Sequence, residues 1–562
     1  MRPVKIFAAI TALTLATTTF TPAAAVAAPE STVRPVLACA DLVRGFALPG
    51  ATTHVTSAAV TTGASLRAGG SATRTPERSA VAATAVDPEY CDVQGYVEPA
   101  VRFELRLPTK TYSGRYLQYG CGGFCGVVTP PAFADCLPHG GDFAVAATDD
   151  GHVGKTPAVV DDGSWGANDQ AARNDFEFRA PHVVSRASKA IIQAFYGAPP
   201  RKSYFSGCSD GGREGLLLAQ RYPADFDGID AGAPANYWSP LLGVYQTWLA
   251  RVNSAADGSP ILTAAKLPAL HNAVLAACDR LDGLADGQLD DPRACRFDPA
   301  TLTCTGAHTP SCLTPAQAVV VRKLYSPPTD AHGTLLYPGG QLPGSELSWA
   351  GWIIATPETG GFAFARNLAD NYLRYLGYPI GAPAATVDTF AFTRAEFDRL
   401  TPVGVRYNAL SLDLSAFQRR GGKLLLWHGW NDEAIPPAGT LDYYQRLTHG
   451  RPQDWARLFM VPSLYHCGGG TTLTEFDPLR ELVTWVERGT APTRVTATGR
   501  DDAGDVTRTR PVFAYPQRAV YDGTGSIDDA ANFRPAPPSS PVRDVVHWAG
   551  EKLYGLPGPV AP

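Results

Sequence analysis

Short apolar segments that alternate with helical segments constrain the fold of this 562-residue chain more than any other feature. The pattern first predicts strands at 101–108, 114–120, 143–149 and 202–207, with helices at 173–197 and 212–223. It stops near residue 236 and resumes with strands within 420–432 and 455–467 and a helix at 478–489. Such alternation is typical of a mostly parallel α/β sheet. We therefore expect one α/β domain with an inserted subdomain, which we interpret as a lid.

The amino terminus has the pattern of a secretory signal peptide. Arg2 and Lys5 precede a short apolar run, and Ala25-Val26-Ala27 forms an A-x-A cleavage signal. We therefore expect a secreted, extracellular protein. The predicted division of the chain is a signal peptide (1–28), a first part of the α/β domain (29–236), a lid domain (237–400) and a second part of the α/β domain (401–562).

Composition excludes several classes of partner. The net charge is −5 and no basic run stands out, so nucleic-acid binding has little support. No stretch of 18 or more apolar residues follows the signal peptide, so we expect no membrane span. The chain has 11 cysteines, which in an exported protein indicate disulfides rather than metal thiolates.

A serine lies in the Gly-rich turn between a predicted strand and a predicted helix. The segment Gly207-Cys208-Ser209-Asp210-Gly211 matches Gly-x-Ser-x-Gly in the setting that a nucleophile elbow requires. Small residues at 207 and 211 permit the strained turn that exposes the Ser209 hydroxyl. The following helix directs its first amides at developing negative charge. The alternative is a chance match, because the motif alone is common.

A serine nucleophile needs a base, and the base needs an orienting carboxylate. Asp432 ends one later strand segment and His466 ends the next, in the chain order that an elbow serine predicts. Taken singly, Asp432 reads as a loop-capping aspartate and His466 as a core histidine. Both follow apolar strands in the expected order, so we predict a Ser209–Asp432–His466 triad.

Cysteines adjoin both the serine and the histidine. Cys208 precedes Ser209 and Cys467 follows His466. The two backbones lie close together in any working triad, so a disulfide between these neighbours is geometrically reasonable. It would close a loop of about 258 residues, worth about 5–6 kcal/mol as an upper figure from chain entropy. The alternative is two unrelated cysteines.

An aspartate-rich turn raises the question of a metal. Asp279, Asp282 and Asp286 lie in "CDRLDGLADGQLDDPRAC", with glycines at 283 and 287. A cation relieves the repulsion among crowded carboxylates, and Ca²⁺ prefers carboxylates and backbone carbonyls. The spacing is not that of an EF-hand, and a solvated acidic turn is the alternative. We expect a structural calcium ion and no organic cofactor.

Three motifs together carry a family resemblance. "GCSDGGRE", "HGWND" and "YHCGG" resemble the tannase and feruloyl esterase family, which is marked by a Cys-Ser, Asp, His-Cys arrangement with the two cysteines bonded. The likeness runs from about residue 39 to 535. It implies an α/β-hydrolase fold with a lid inserted between the nucleophile strand and the aspartate.

The resemblance also implies further site residues. The oxyanion hole would use the backbone amide of Asp210 and an amide of an upstream Gly-rich loop, for which "YGCGGFCG" offers Gly122 or Gly123. An ordinary turn is the alternative for that loop. The calcium ligands would include the carbonyls of Leu284 and Gln288.

The remaining cysteines sort mostly by proximity. We predict Cys278 with Cys295 around the aspartate-rich turn, Cys304 with Cys312 in a small lid loop, and Cys39 with Cys91 at the N-terminal segment. One of Cys121, Cys125 and Cys136 is left over, and the sequence does not identify which. The family often has a further disulfide near the C-terminus, but here Phe513 stands where one of its cysteines would be.

The expected function is hydrolysis of esters of aromatic acids such as ferulate or gallate. The expected substrate is a small-molecule aromatic ester or an ester derived from a plant polymer. A hydrolase of terephthalate-type monoesters or a broader acyl esterase is the alternative, followed by a peptidase, an acyltransferase or a non-catalytic binding protein. Arg366 and Arg374 are candidates for a substrate carboxylate or phenol, or else surface arginines. Lid aromatics that form either a ring-stacking wall or lid core are Trp349, Trp352, Phe362, Phe364, Tyr372 and Tyr375.

Overall fold

A central sheet of ten strands organises the described part of the computed structural model, which comprises residues 32–62, 87–133, 141–155, 160–538 and 542–561. The strands are β1 (Gly45–Phe46), β2 (Thr53–Thr61), β3 (Tyr90–Val97), β4 (Val101–Pro108), β5 (Arg115–Tyr119), β6 (Phe143–Thr148), β7 (Lys202–Cys208), β8 (Gly228–Gly232), β9 (Lys423–Gly429) and β10 (Ala456–Val461).

The sheet has an antiparallel half and a parallel half. Its order is β1-β2-β3-β4-β6-β5-β7-β8-β9-β10. Neighbours from β1 to β4 pair antiparallel, β4 pairs antiparallel with β6, and every pair from β6 to β10 is parallel. Strand β9, which pairs with β8 and β10, is almost wholly buried, and this agrees with its continuous apolar run. The expected α/β-hydrolase fold is confirmed.

Helices cover this sheet and fill the segment between β8 and β9. They are α1 (Gln170–Asn174), α2 (Ala180–Tyr196), α3 (Asp210–Arg221), α4 (Gln246–Val252), α5 (Leu267–Cys278), α6 (Pro315–Leu324), α7 (Trp349–Trp352), α8 (Phe364–Asn371), α9 (Arg394–Tyr407), α10 (Ser415–Arg419), α11 (Pro437–Thr448) and α12 (Leu479–Arg488). A π-helical turn joins α1 to α2, and α2 ends at Gly197 in the left-handed conformation. The predicted helix at 173–197 corresponds to this unit.

The chain leaves the sheet after β8 and returns to it at β9. The intervening residues 233–422, here called the inserted segment, contribute no strand to the sheet in the described structure and contain α4 to α10. The predicted lid boundary at residue 400 falls inside α9. Residues Thr32–Pro562 form one compact unit. The predicted signal peptide lies outside the described residues.

Two small antiparallel sheets follow α12. The pairs are β11 (Arg494–Arg500) with β12 (Val506–Phe513), and β13 (Arg518–Tyr521) with β14 (Phe533–Ala536). These strands and β8 have no counterpart among the predicted elements. Among the described residues, no helix has the length and apolar character needed to cross a bilayer.

Candidate active site

Ser209 lies in a strained turn between β7 and α3. Its φ is +64°, in the left-handed region that non-glycine residues rarely adopt. A Cβ atom on Gly207 would lie 2.6 Å from the carbonyl carbon of Gly211, so only glycine permits this close approach. The turn places a partly exposed serine at the carboxyl end of β7.

The structure brings the three predicted side chains together. Nε2 of His466 lies 2.9 Å from Oγ of Ser209, and Nδ1 of His466 lies 2.8 Å from Oδ2 of Asp432. A neutral imidazole with its proton on Nδ1 donates to Asp432 and accepts from the serine hydroxyl. This hydrogen-bonded chain has the arrangement of a Ser-His-Asp triad.

The Asp432 carboxylate is 1% exposed and bonded on both oxygens. Oδ1 accepts from the backbone N–H groups of Ala434 and Ile435 at 2.8 and 2.7 Å. Oδ2 faces His466 and, at 3.1 Å, Nε2 of His428. Burial by itself would raise the pKa of Asp432, but the charge of His466 and hydrogen bonds from both histidines hold this pKa well below its usual range.

A disulfide joins the neighbours of the serine and the histidine. Cys208 and Cys467 are bonded across 259 positions, with their Cα atoms 5.8 Å apart. The other predicted pairs, Cys39–Cys91, Cys278–Cys295 and Cys304–Cys312, are also bonded. Of the three cysteines left open by the sequence, Cys121 pairs with Cys125. Cys136 lies outside the described residues.

The segment 120–126, here called the glycine loop, packs against the first turn of α3. A Cβ on Gly120 would lie 2.5 Å from Cα of Gly211. The backbone N–H groups of residues 120, 121, 124, 125 and 126 all donate to protein acceptors. Those of Gly122 and Gly123 find no acceptor within the described part of the chain. Asp210, the first residue of α3, has a fully buried side chain paired with Arg213.

The inserted segment holds the loop that carries Asp432. Gln246 donates to the carbonyl of Ala434 at 2.7 Å, and Gln341 donates to that of Glu433 at 2.9 Å. Asn431 donates in turn to the carbonyl of Gly344 at 2.7 Å. These contacts hold the Asp432 loop (residues 430–436) against the inserted segment.

The lid aromatics divide between core and site. Trp349 and Tyr372 are fully buried and belong to the core. The half-buried Trp352 has its ring centroid 5.5 Å from that of His466, and Phe364 packs on Trp352 at 4.7 Å. Phe362 is 64% exposed. Of the six aromatics, Trp352 is thus the one with a ring contact to His466 in the described structure.

Both candidate arginines take part in exposed ion pairs. Arg366 donates to both oxygens of Asp388 at 2.8 and 2.9 Å, and Arg374 pairs with Asp370 one helical turn earlier. Exposed pairs of this kind contribute little free energy. Their geometry is that of surface arginines, which was the alternative to substrate binding.

Residues 279–290, here called the aspartate-rich loop, are folded by their own carboxylates. Asp279 accepts from the N–H groups of Gly287 and Gln288, and Asp282 accepts from those of Leu284 and Asp290. The Asp286 carboxylate lies 2.6 Å from Arg510 of β12. The loop gathers oxygen donors of the kind that Ca²⁺ prefers, while Arg510 supplies a positive charge.

Sequence reasoning did not identify two residues that contact the triad. His428 lies four positions before Asp432 in "HGWND", but this position alone predicts no role for it. Glu433 accepts the backbone N–H of His466 at 3.2 Å. Burial raises the pKa of Glu433 to about 7, and the neighbouring Asp432 charge adds to the shift. Its adjacency to Asp432 was the available signal.

Comparison with known proteins gives a consistent picture. The family model described as tannase and feruloyl esterase matches residues 83–536. A mono(2-hydroxyethyl) terephthalate hydrolase from Piscinibacter sakaiensis is 36% identical over 529 residues, which cover 82% of this chain and 87% of that protein. A probable feruloyl esterase B-2 from Aspergillus flavus is 33% identical over 437 residues, covering 73% and 80% respectively.

Solved structures agree with these relatives. The crystal structure of feruloyl esterase B from Aspergillus oryzae superposes with a TM-score of 0.72 at 26% identity. The match covers 87% of this chain and 98% of that chain. The similarity therefore extends over the sheet, the inserted segment and the candidate active site together.

The disulfide analysis predicts an effect on both stability and rate. Changing Cys208→Ser and Cys467→Ser together should lower the free energy of unfolding by about 2–5 kcal/mol. It should also lower kcat by about 10- to 100-fold, because Ser209 and His466 lose their covalent tether. Urea unfolding and ester kinetics measure the two effects.

The matched control, Cys304→Ser with Cys312→Ser, breaks an eight-residue bridge and should leave kcat unchanged. Equal kcat values in the two double variants would contradict the tethering role.

The raised pKa of Glu433 predicts a pH-dependent stability effect. Between pH 4.5 and about 7, folded Glu433 keeps a proton that the unfolded chain releases, so its contribution to stability falls as pH rises. Glu433→Gln removes this dependence while keeping an acceptor for the His466 N–H. Relative to wild type, the variant should gain up to about 3 kcal/mol between pH 4.5 and 7.5 in urea unfolding. A constant difference, like that expected for the exposed Glu358→Gln control, would refute the prediction.

Proposed function

The chain belongs to the tannase and feruloyl esterase family and is an ester-hydrolysing enzyme, and from this we propose that it is a secreted hydrolase of aromatic-acid esters. We propose further that Ser209, His466 and Asp432 form its catalytic triad. The observation that carries the proposal is the continuous hydrogen-bonded chain from Ser209 through His466 to Asp432. Its two distances are those of a competent triad.

The proposed reaction has two half-reactions. Oγ of Ser209 attacks the ester carbonyl while Nε2 of His466 takes the hydroxyl proton. The tetrahedral intermediate collapses, His466 returns the proton to the leaving alcohol, and an acyl-serine remains. Water then attacks the acyl group with His466 as base, and the carboxylic acid leaves as Ser209 recovers its proton. Throughout, Asp432 holds the imidazole tautomer and stabilises the imidazolium.

The oxyanion hole is proposed to combine the two elements that meet beside Ser209. One donor is the backbone amide of Asp210, at the N-terminus of α3, where N–H groups point away from the helix. The second is the amide of Gly122 or Gly123 in the glycine loop. Fixed backbone donors suit this role because they need no reorganisation as charge develops on the carbonyl oxygen.

An aromatic substrate group is supported by the ring beside the triad. Trp352 lies against His466 and is backed by Phe364, so an aromatic ring bound there could stack within reach of the acyl centre. Feruloyl and galloyl esters fit this description. Terephthalate monoesters are the second candidate, favoured by the relative from Piscinibacter sakaiensis.

The aspartate-rich loop is proposed to hold a structural calcium ion. Its ligands would be the carboxylates of Asp279, Asp282 and Asp286 with the carbonyls of Leu284 and Gln288. The hard oxygen donor set and the Cys278–Cys295 bridge that closes the loop support this assignment. When bound, the ion would neutralise the crowded carboxylates, and it takes no part in the ester chemistry.

Secretion is proposed on two grounds. The amino-terminal pattern is that of a signal peptide. The described residues contain five disulfides, which persist in oxidising compartments.

A serine variant tests the proposed chemistry. Ser209→Ala should lower kcat/KM by at least about 10⁴-fold, because no nucleophile remains, while the melting temperature stays near that of wild type. The substrates are methyl ferulate, methyl gallate, mono(2-hydroxyethyl) terephthalate and p-nitrophenyl acetate. Wild-type preference for the first two over p-nitrophenyl acetate would support the aromatic-acid assignment. Turnover that survives in the variant would overturn the mechanism.

Chelation tests the calcium proposal. EGTA should lower the melting temperature of the wild type, since an ion held at 100 times its Kd contributes about 2.7 kcal/mol. Asp282→Asn should have a lower melting temperature that EGTA does not change further. The exposed Asp257→Asn serves as the matched control and should respond to EGTA like wild type. A wild type insensitive to EGTA after exhaustive dialysis would show that Arg510 and hydrogen bonds suffice to hold the loop.

A further inference from the structure

A second histidine contacts the triad carboxylate from within the sheet. His428 belongs to β9 and is fully buried. Its Nε2 lies 3.1 Å from Oδ2 of Asp432 and 2.9 Å from the carbonyl oxygen of Ile435. Its Nδ1 lies 2.8 Å from Oγ1 of Thr440 on α11. Both ring nitrogens are therefore engaged.

These partners determine where the His428 proton resides. Both neighbours of Nε2 are pure acceptors, so Nε2 carries the hydrogen and shares it between the carboxylate and the carbonyl. The Thr440 hydroxyl can donate to Nδ1, which fixes the ring and its tautomer from the other side. The ring is thus held in one orientation by groups from α11 and the Asp432 loop.

We propose that His428 is a positioning residue of the esterase, which orients the Asp432 carboxylate so that Oδ2 meets His466 Nδ1. The inference rests on the proposed triad and deepens it. His428 is fully buried and contacts Asp432, so it acts on His466 through that carboxylate and not on substrate.

The geometry explains why such a residue is needed. Two backbone N–H groups hold Oδ1, but rotation about the axis through that oxygen would still let Oδ2 swing away from His466. The His428 N–H is the second donor to Oδ2, and it comes from a buried strand that is paired on both sides rather than from the loop. It therefore removes the remaining freedom of the carboxylate.

The other charged and titratable groups around Asp432 are few in the described structure. His466 and Glu433 face it from the site, and Tyr245 and Tyr337 approach it from the inserted segment. A substitution at His428 should therefore change chiefly the protonation equilibrium of His466. Removing a donor from Asp432 makes the carboxylate a stronger acceptor, which favours the imidazolium.

The test compares His428→Phe, which keeps ring volume without a donor, with His428→Gln, whose amide can donate from about the position of Nε2. We expect His428→Phe to lower kcat about 10- to 100-fold with KM within about twofold, since orientation rather than binding is lost. The acid limb of its kcat/KM profile should move to higher pH by about 0.5–1 unit. His428→Gln should recover most of kcat and return the limb towards its wild-type position.

Two further measurements keep the outcome clear. Thr440→Val removes the hydroxyl that holds the His428 ring and should move the acid limb in the same direction by a smaller amount. This variant tests the role of His428 even if His428→Phe does not fold. The low-field ¹H NMR resonance of the His466 Nδ1–H should shift or broaden in His428→Phe, a readout that needs no substrate.

Specific results would overturn the inference. One is a His428→Phe variant with wild-type kcat and an unmoved acid limb. Another is an equal loss of kcat in the Phe and Gln variants, accompanied by a lower melting temperature and an unchanged profile, which would mark a purely structural residue. Failure of the proposed function is distinguishable, because the wild type itself would then lack esterase activity, or Ser209→Ala would retain it.

Discussion

The buried negative charge of Asp432 is the constraint on which the rest of the site depends. An isolated carboxylate in an apolar interior is strongly unfavourable unless donors replace the water it loses. Here four donors do so, two from its own loop, one from His466 and one from β9. The site therefore cannot be assembled from Ser209, His466 and Asp432 alone. It needs a loop with free N–H groups, a strand that supplies a histidine, and an inserted segment that keeps the loop in place.

Two kinds of bond align the side chains of the proposed triad. The Cys208–Cys467 bond limits the distance between the turn after β7 and the loop after β10, which are 259 residues apart in the chain. It cannot set the rotation of the imidazole. Asp432 sets the rotation of the imidazole through its hydrogen bond with His466 Nδ1, and the orientation of Asp432 is fixed by the groups that donate to it. A covalent tether and a hydrogen-bonded carboxylate thus control separation and orientation independently, at opposite sides of the same histidine.

The sequence predicted those parts of the molecule whose signals are local. Long apolar strands, the Gly-x-Ser-x-Gly turn and the cysteines beside Ser209 and His466 were sufficient for the α/β fold and the candidate triad. The sequence pattern does not predict the short strand β8, "GIDAG", because this segment has few large apolar residues. Trp349 and Trp352 are three positions apart, yet one is core and the other contacts His466, which composition cannot distinguish. Partners such as Gln246 and Ala434 meet only through tertiary packing.

The inserted segment contributes directly to the structure of the candidate active site. Its Trp352 ring lies on the base, and the indole N–H of Trp352 donates to Gln246, whose amide donates to the Asp432 loop. Trp352, which is proposed to contact substrate, is thus linked through Gln246 by hydrogen bonds to the loop that carries Asp432. The residue proposed to contact substrate and the residues that hold the Asp432 carboxylate therefore belong to one hydrogen-bonded network. If the proposed triad operates, we expect a change in the size of the residue 352 side chain to alter the alignment of Asp432 as well, which would couple specificity to rate.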